Sequence, residues 1–338
     1  MFTPRRRHKP GSPEQTGYAH RMAALGWLTP RRRSATARSV LAGEAAAEAA
    51  RKSSLQLERE REEAAATTEA AAPAEPEFPV VGDVRAAAFF DLDNTVMQGA
   101  AIFHFGRGLY KRKFFQRREL ARFAWQQAWF RLAGVEDPEH MQDARESALS
   151  IVQGHRVSEL MSIGEEIYDE YMADRIWPGT RGLAQAHLDA GQKVWLVTAA
   201  PVETATIIAR RLGLTGALGT VAESVDGVYT GKLVGEPLHG PAKAEAVRAL
   251  AAAEGLDLGR CAAYSDSHND IPMLSLVGHP YAINPDAKLR RHAKDLDWRL
   301  RDYRTGRKAA KVGIPAAAGL GALAGGTAAA VALHRRRH

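Results

Sequence analysis

The sequence predicts an α/β protein: a doubly wound parallel sheet with an all-helical insertion after the first strand. Three observations carry this. Short, continuously apolar runs recur along the chain, and each ends in a polar loop, as strands buried on both faces do. Helical patterns separate the runs, and strands alternating with helices build a parallel sheet. Residues 99–178 interrupt that alternation with helical spacing alone.

In chain order, Ala86–Phe90 is the first strand and runs into Asp91-Leu92-Asp93. Lys193–Thr198 is the second, Cys261–Asp266 the third and Pro280–Asn284 the fourth. Glu203–Leu212 and Ala242–Glu254 are helices between them. Within the insertion, Lys111–Leu132, Met141–Ile151 and Val157–Met172 have helical spacing. Val225–Gly231 differs: Asp226-Gly227 between β-formers predicts a small hairpin flap. The core is thus expected over 85–98 and 179–305, and the insertion over 99–178. Residues 1–80 are expected to be a disordered tail, first basic and then Ala/Glu-rich. The stretch 41–72 shows no sustained apolar face to bury, and Pro73, Pro76 and Pro79 close it as a stiff linker.

The chain has 338 residues, 45% of them hydrophobic and 25% charged. That suffices for a sizeable core and excludes wholesale disorder, collagen and a polytopic membrane protein. A single cysteine, Cys261, excludes an intramolecular disulfide framework and a Cys-rich zinc module, and fits a reducing, cytoplasmic setting. The net charge of +7 belongs to the ends. Residues 1–40 and 299–338 each carry nine Lys/Arg against one acid, so the two +8 ends leave 41–298 at −9. A basic chain ordinarily suggests nucleic acid. Here the acidic body would repel a polyanion, and the basic ends suit an anionic membrane surface better.

Residues 312–333 run for 22 positions without a charge, long enough to span a bilayer. Lys308, Lys311 and Arg335–Arg337 bracket them, and Gly321 and Gly325 form a GxxxG. Yet nine of these residues are Ala, five Gly and one Pro, which makes insertion marginal. Two readings stay open for 306–338: a membrane anchor that leaves the catalytic domain in the cytoplasm, and a flexible Ala/Gly tail.

Four separated motifs point to chemistry. In Asp91-Leu92-Asp93-Asn94-Thr95, positions i and i+2 at a strand end share a direction, so Asp91 and Asp93 can address one site. Thr198 ends the second strand with a hydroxyl that can donate to a phosphoryl oxygen. Lys243, in Gly240-Pro241-Ala242-Lys243, stands at a helix start, where the dipole disfavours a cation unless an anion faces it. Ser265-Asp266-Ser267-His268-Asn269-Asp270 places two acids and an amide at a strand end, a set suited to a hard cation. Read singly, each has a bland alternative: solvated loop acids, a helix-capping threonine, an exposed lysine. His268 reads as a solvated neighbour of the oxygen groups and not as a ligand.

Together and in this order, the four motifs resemble the haloacid dehalogenase (HAD) superfamily, over about 85–305. The insertion between the first and second motifs resembles the phosphoserine-phosphatase-like branch, subfamily IB, whose Rossmann-like core carries a C1-type helical cap. The resemblance implies a phosphatase that hydrolyses a small phosphate monoester through an aspartyl-phosphate. Asp91 would be the nucleophile and Asp93 the general acid/base. Thr198 and Lys243 would hold the phosphoryl group. Mg²⁺ would be bound by Asp91, Asp266 and the backbone carbonyl of Asp93, with Asn269 and Asp270 in support.

One departure bears on substrate. Phosphoserine phosphatases carry a glutamate nine residues after the nucleophile, which reads the substrate's ammonium. Position 100 here is Ala, so phosphoserine itself would be poorly recognised. The segment Phe114–Leu132 interleaves Phe114, Phe115, Phe123, Trp125, Trp129 and Phe130 with basic residues. It reads either as a cap helix with its own apolar core or as a pocket for an apolar, lipid-like phosphate ester. The alternative to an enzyme is a membrane-associated regulatory or binding protein on the same scaffold, with little turnover.

Overall fold

In the computed structural model, which describes residues 30–65, 82–114 and 152–304, the first strand is β1 (Ala87–Asp91), buried along its whole length. Its side chains alternate between two cores. Ala88 and Phe90 enter one, with Leu196 and Tyr264. Ala87 and Phe89 enter the other, with Trp195 and Val197. A strand covered on both faces needs no polar alternation, which is why it reads as an unbroken apolar run. Phe90 stacks on Tyr264 with ring centroids 4.1 Å apart.

The remaining strands are β2 (Lys193–Pro201), β3 (Gly216–Thr220), β4 (Ala222–Val225), β5 (Val228–Leu233), β6 (Ala262–Ser265), β7 (His279–Ile283) and β8 (Arg299–Arg301). Six of them form one parallel sheet in the order β3-β2-β1-β6-β7-β8. β1 therefore sits where the strand order turns to both sides, and the crevice beyond the carboxyl ends of such strands is where open α/β sheets bind ligands. β4 and β5 form the expected hairpin. Its two-residue turn has Asp226 at φ +50° and Gly227 at φ +74°, the left-handed pair that an Asp-Gly turn allows.

The helices are α1 (Pro30–Ala65), α2 (Ala101–Lys111), α3 (Val157–Ile167), α4 (Pro178–Asp189), α5 (Val202–Arg211), α6 (Pro241–Glu254), α7 (Ile271–Leu274) and α8 (Ala287–Asp295). α2 and α3 fall between β1 and β2, and α3 continues through one π-helical turn, Tyr168–Met172. The chain leaves and re-enters the sheet through paired backbone. Gln98 N–H donates to the Arg175 carbonyl and Trp177 N–H to the Val96 carbonyl, both at 2.8 Å. Most of the aromatic stretch Phe114–Leu132, the helix expected over Met141–Ile151 and the C-terminal stretch 312–333 lie outside the described residues. Among the described residues, no helix is long and apolar enough to cross a membrane.

The expectation of a tail over residues 1–80 is corrected for its Ala/Glu-rich part. Residues 30–65 form the 36-residue helix α1, docked on α6 and β3. Ala42, Ala46, Ala47, Ala50 and Leu57 make a buried stripe at helical spacing. The face was hard to read because it is mostly methyl groups. Each contributes little apolar area, but small residues let two helix backbones approach closely. A Cβ on Gly43 would lie 2.7 Å from the Ala246 backbone nitrogen. Gly43→Leu is therefore expected to lower unfolding stability by about 1–3 kcal/mol through overpacking, read by urea or thermal denaturation. An unchanged midpoint would mean that α1 does not dock at this register.

Two strands were not read from the sequence. In β3, Gly216 and Gly219 are glycines because added Cβ atoms would strike the Trp195 ring and the Val202 backbone, each at 2.6 Å. Close packing here overrides β-propensity. β8 is a three-residue edge strand with exposed arginines, a composition that guards a sheet edge.

Candidate active site

The site assembles at the carboxyl ends of β1, β2 and β6. Asp91 is the last residue of β1, and Thr198 stands one position beyond Val197, its register partner on β2. Asp266 follows β6 directly. Lys243 arrives from the first turn of α6, whose N-cap, Gly240, has φ +53°, a left-handed conformation that glycine allows without strain. That turn directs Lys243 inward rather than to solvent.

Lys243 is 4% exposed, and its ammonium donates to Asp91 Oδ1 at 2.6 Å and to Asp270 Oδ2 at 2.7 Å. This answers the dipole argument: a lysine at a helix start is tolerated because two carboxylates face it. Thr95 Oγ donates to the other oxygen of Asp91 at 3.0 Å, and Ser265 Oγ donates to Asp270 Oδ2 at 2.7 Å. Asp93 is less buried than Asp91, and its Oδ1 accepts the Ala101 N–H at 2.7 Å. Thr198 is 1% exposed, and its hydroxyl oxygen accepts the Ala200 N–H at 3.1 Å. That leaves its own proton available to a ligand.

The structure thus brings Asp91, Lys243 and Asp270 into direct contact, with Asp93, Asp266 and Thr198 on the same rim. Asn269 is different. It is exposed, and its backbone N–H donates to Ser267 Oγ. His268 pairs with Asp286, its Nδ1 lying 2.9 Å from Asp286 Oδ2. Asp286 also accepts the His268 backbone N–H, and its own N–H donates to the Asp266 carbonyl, so it clamps this loop from outside.

Thr95 and Ser265 lie inside the motifs, and the sequence alone assigns them no role. The signal was their spacing, four residues after Asp91 and five before Asp270. Asn284 was missed as well. It is fully buried at φ +49°, donates to the Asn94 carbonyl at 2.9 Å and accepts the Tyr303 N–H at 2.8 Å. It thereby ties the loop after β1 to the loop after β7.

Charge decides what this site can hold. Four carboxylates, of Asp91, Asp93, Asp266 and Asp270, share one lysine. Burial, opposed by Lys243 and reinforced by Asp270 and Asp266, raises the Asp91 carboxyl above the ordinary carboxylate range. Burial and then Asp270 push Asp266 up to about 7. Lys243 is raised as well: burial works against its charge, but Asp91 and Asp270 outweigh it. The deficit is one of positive charge, and a hard divalent cation on Asp91, Asp266 and the Asp93 carbonyl fits that donor set. Among the described residues no three His, Cys, Asp or Glu side chains form a ready cage. Two carboxylates and a carbonyl suit Mg²⁺, which keeps several waters.

Residues 88–275 match the family of haloacid dehalogenase-like hydrolases. The chain belongs to that family. It is 58% identical over 267 residues to a Mycobacterium tuberculosis protein named phosphoserine phosphatase SerB1, covering 79% of this chain and 86% of that one. A Streptomyces azureus protein, named for inhibition of morphological differentiation, is 38% identical over 220 residues, covering 65% and 79%. Among solved structures, a Bordetella pertussis protein of unknown function superposes with a TM-score of 0.58 at 30% identity, covering 65% of this chain and 99% of that one. The protein is a phosphoric monoester hydrolase of the phosphoserine-phosphatase-like branch.

Proposed function

We propose that this HAD hydrolase is a Mg²⁺-dependent phosphatase working through an aspartyl-phosphate on Asp91. The observation that carries the reading is the buried Asp91–Lys243–Asp270 cluster at the end of β1, with Asp93 beside it. When bound, Mg²⁺ on Asp91, Asp266 and the Asp93 carbonyl would offset the repulsion between the carboxylate and the phosphate dianion. Lys243 adds to that from the other side and, with Asp270, holds the Asp91 carboxyl in one orientation. Thr198 would donate its hydroxyl proton to an equatorial phosphoryl oxygen.

An Asp91 oxygen attacks phosphorus, and the bond to the ester oxygen breaks. Asp93 gives its proton to that leaving oxygen. Burial raises Asp93, against the pull of the Ala101 N–H, so it holds a proton more readily than a solvated aspartate. The Asp93 carboxylate then takes a proton from water, which attacks phosphorus and releases inorganic phosphate, restoring Asp91. Helices α2 and α3 serve as part of a C1-type cap over the site in this reading.

The test is a panel of phosphate monoesters with and without Mg²⁺ on the full chain. Chelation is expected to remove turnover, and Mg²⁺ to restore it better than Ca²⁺. Asp266→Ala is expected to raise the Mg²⁺ requirement or abolish activity. Full activity in excess chelator would refute the metal's role.

Substrate choice turns on position 100. Ala100 is the N-cap of α2, immediately before the residue that donates to Asp93, and brings no acid there. We therefore expect phosphoserine to be turned over less well than esters with an uncharged or apolar body. Ala100→Glu should shift kcat/KM toward phosphoserine, by on the order of tenfold for one added ion pair. Phosphoserine as the best substrate of the panel would contradict this.

A further inference from the structure

The Asp93 carboxylate is held from α2. Ala101, the first residue of that helix, donates its N–H to Asp93 Oδ1 at 2.7 Å. The N-cap before it, Ala100, brings no side-chain oxygen to the helix start, so the acid itself accepts one of the open donors there. The direction of that N–H therefore sets where the carboxylate sits.

His104, in the first turn of α2, is 8% exposed. Helical side chains lean back toward the N-terminus, and its ring reaches the loop that leads into the helix. Its Nε2 lies 3.2 Å from the Gln98 carbonyl oxygen. A carbonyl only accepts, so Nε2 carries the proton in this contact. A peptide unit is planar and trans, so fixing its C=O fixes its N–H as well. The Gln98–Gly99 unit is held at both ends, its C=O by the His104 ring and its N–H by Asn94 Oδ1 at 3.1 Å. The Ala100–Ala101 unit is held likewise. Its C=O accepts the Phe103 N–H at 3.1 Å and the His104 N–H at 3.4 Å, and its N–H is the donor to Asp93. Asn94 closes the loop by donating its own N–H to the Gly99 carbonyl at 3.4 Å, and that N–H shares a peptide unit with the Asp93 carbonyl. Gly99 stands between these units at φ +82°, and a Cβ there would lie 3.2 Å from His104 Nε2. The left-handed backbone and the seat of the imidazole both call for glycine.

We propose that His104 is a positioning residue for Asp93. Its imidazole N–H locks the Gln98–Gly99 peptide, and the loop so fixed holds the Asp93 carboxylate where it can protonate the leaving oxygen. The inference rests on the reading of Asp93 as the general acid/base. His104 itself neither gives nor takes a proton in the reaction.

The test compares kcat/KM of the full chain, with Mg²⁺, on p-nitrophenyl, phenyl and propyl phosphate. The need to protonate the leaving oxygen rises in that order, and so does the help an acid can give. His104→Phe keeps a ring of similar size and loses the donor. It is expected to widen the p-nitrophenyl to propyl ratio by about tenfold, the kinetic worth of one hydrogen bond. A role in stability alone would lower all three substrates together. His104→Gln, which can return an N–H to the Gln98 carbonyl, should recover most of the wild-type ratio. Gly99→Ala disturbs the same loop and should widen the ratio too, and it decides the matter if His104→Phe does not fold. Asp93→Asn should itself widen the ratio, and adding His104→Phe to it should widen it no further, because both act through one group. A wild-type ratio in both His104→Phe and Gly99→Ala, or further widening in the double variant, would overturn the inference and leave the phosphatase reading intact. No widening in Asp93→Asn would remove Asp93 as the acid, and the inference with it.

Discussion

Asp91→Asn is expected to eliminate phosphatase turnover while the fold persists. The substitution is nearly isosteric. It keeps an oxygen that can accept from Lys243 but removes the carboxylate that attacks phosphorus in the proposed mechanism. Without that nucleophile no covalent intermediate forms, and the remaining groups bind substrate without a route to hydrolysis. Activity is expected below about 1% of wild type, with far-UV circular dichroism unchanged. Retained activity above that level would remove Asp91 from the mechanism. Stability need not fall: Asp91 is a buried acid in a site short of positive charge, so neutralising it relieves repulsion from Asp270 and Asp266 while weakening one contact of Lys243.

Lys243→Met has the second large expected effect, and it acts on both stability and rate. The ammonium is the cation that touches Asp91 and Asp270, both of which are buried. Removing one partner of a buried ionic cluster leaves uncompensated charge, which costs about 3–5 kcal/mol where a well-packed apolar replacement of the whole cluster would not. The unfolding midpoint is expected to drop by a corresponding amount and turnover to fall with it. Adding Asp270→Asn to Lys243→Met should recover part of the stability and none of the rate, because it removes one stranded charge but does not restore the phosphoryl contact. A single variant as stable as wild type would mean that the cluster does not carry the charges assigned to it.

What could be read from the sequence follows from what each feature depends on. The central strands were legible because burial on both faces leaves an unbroken apolar run, as in Phe89-Phe90 and Leu196-Val197. The Asp226-Gly227 turn was legible because its backbone conformation admits few residue types. Asp91 and Asp266 were legible as acids at or just beyond strand ends, and Lys243 as a cation at a helix start. Their partners were not, since the contact of Lys243 with Asp270, or of Ser265 with the same carboxylate, joins positions that only the folded chain brings together. α1 escaped for a different reason. Its buried stripe is alanine, and a pattern of methyl groups carries almost no hydrophobic contrast against a helix rich in Ala and Glu. β3 escaped because two of its five residues are glycines, set by the space left beside Trp195 and Val202 rather than by strand propensity.

In the proposed mechanism a phosphoryl group passes through Asp91, and trapping that group tests the mechanism most directly. The full chain would be acid-quenched during steady-state turnover of an aryl phosphate with Mg²⁺ present, digested, and the peptide containing Asp91 examined by mass spectrometry. We expect one added phosphoryl group on Asp91, absent in Asp91→Asn and more abundant when Asp93→Asn slows the second step. Undiminished turnover with an unmodified Asp91 peptide at every quench time, or a phosphoryl group on another residue, would contradict it.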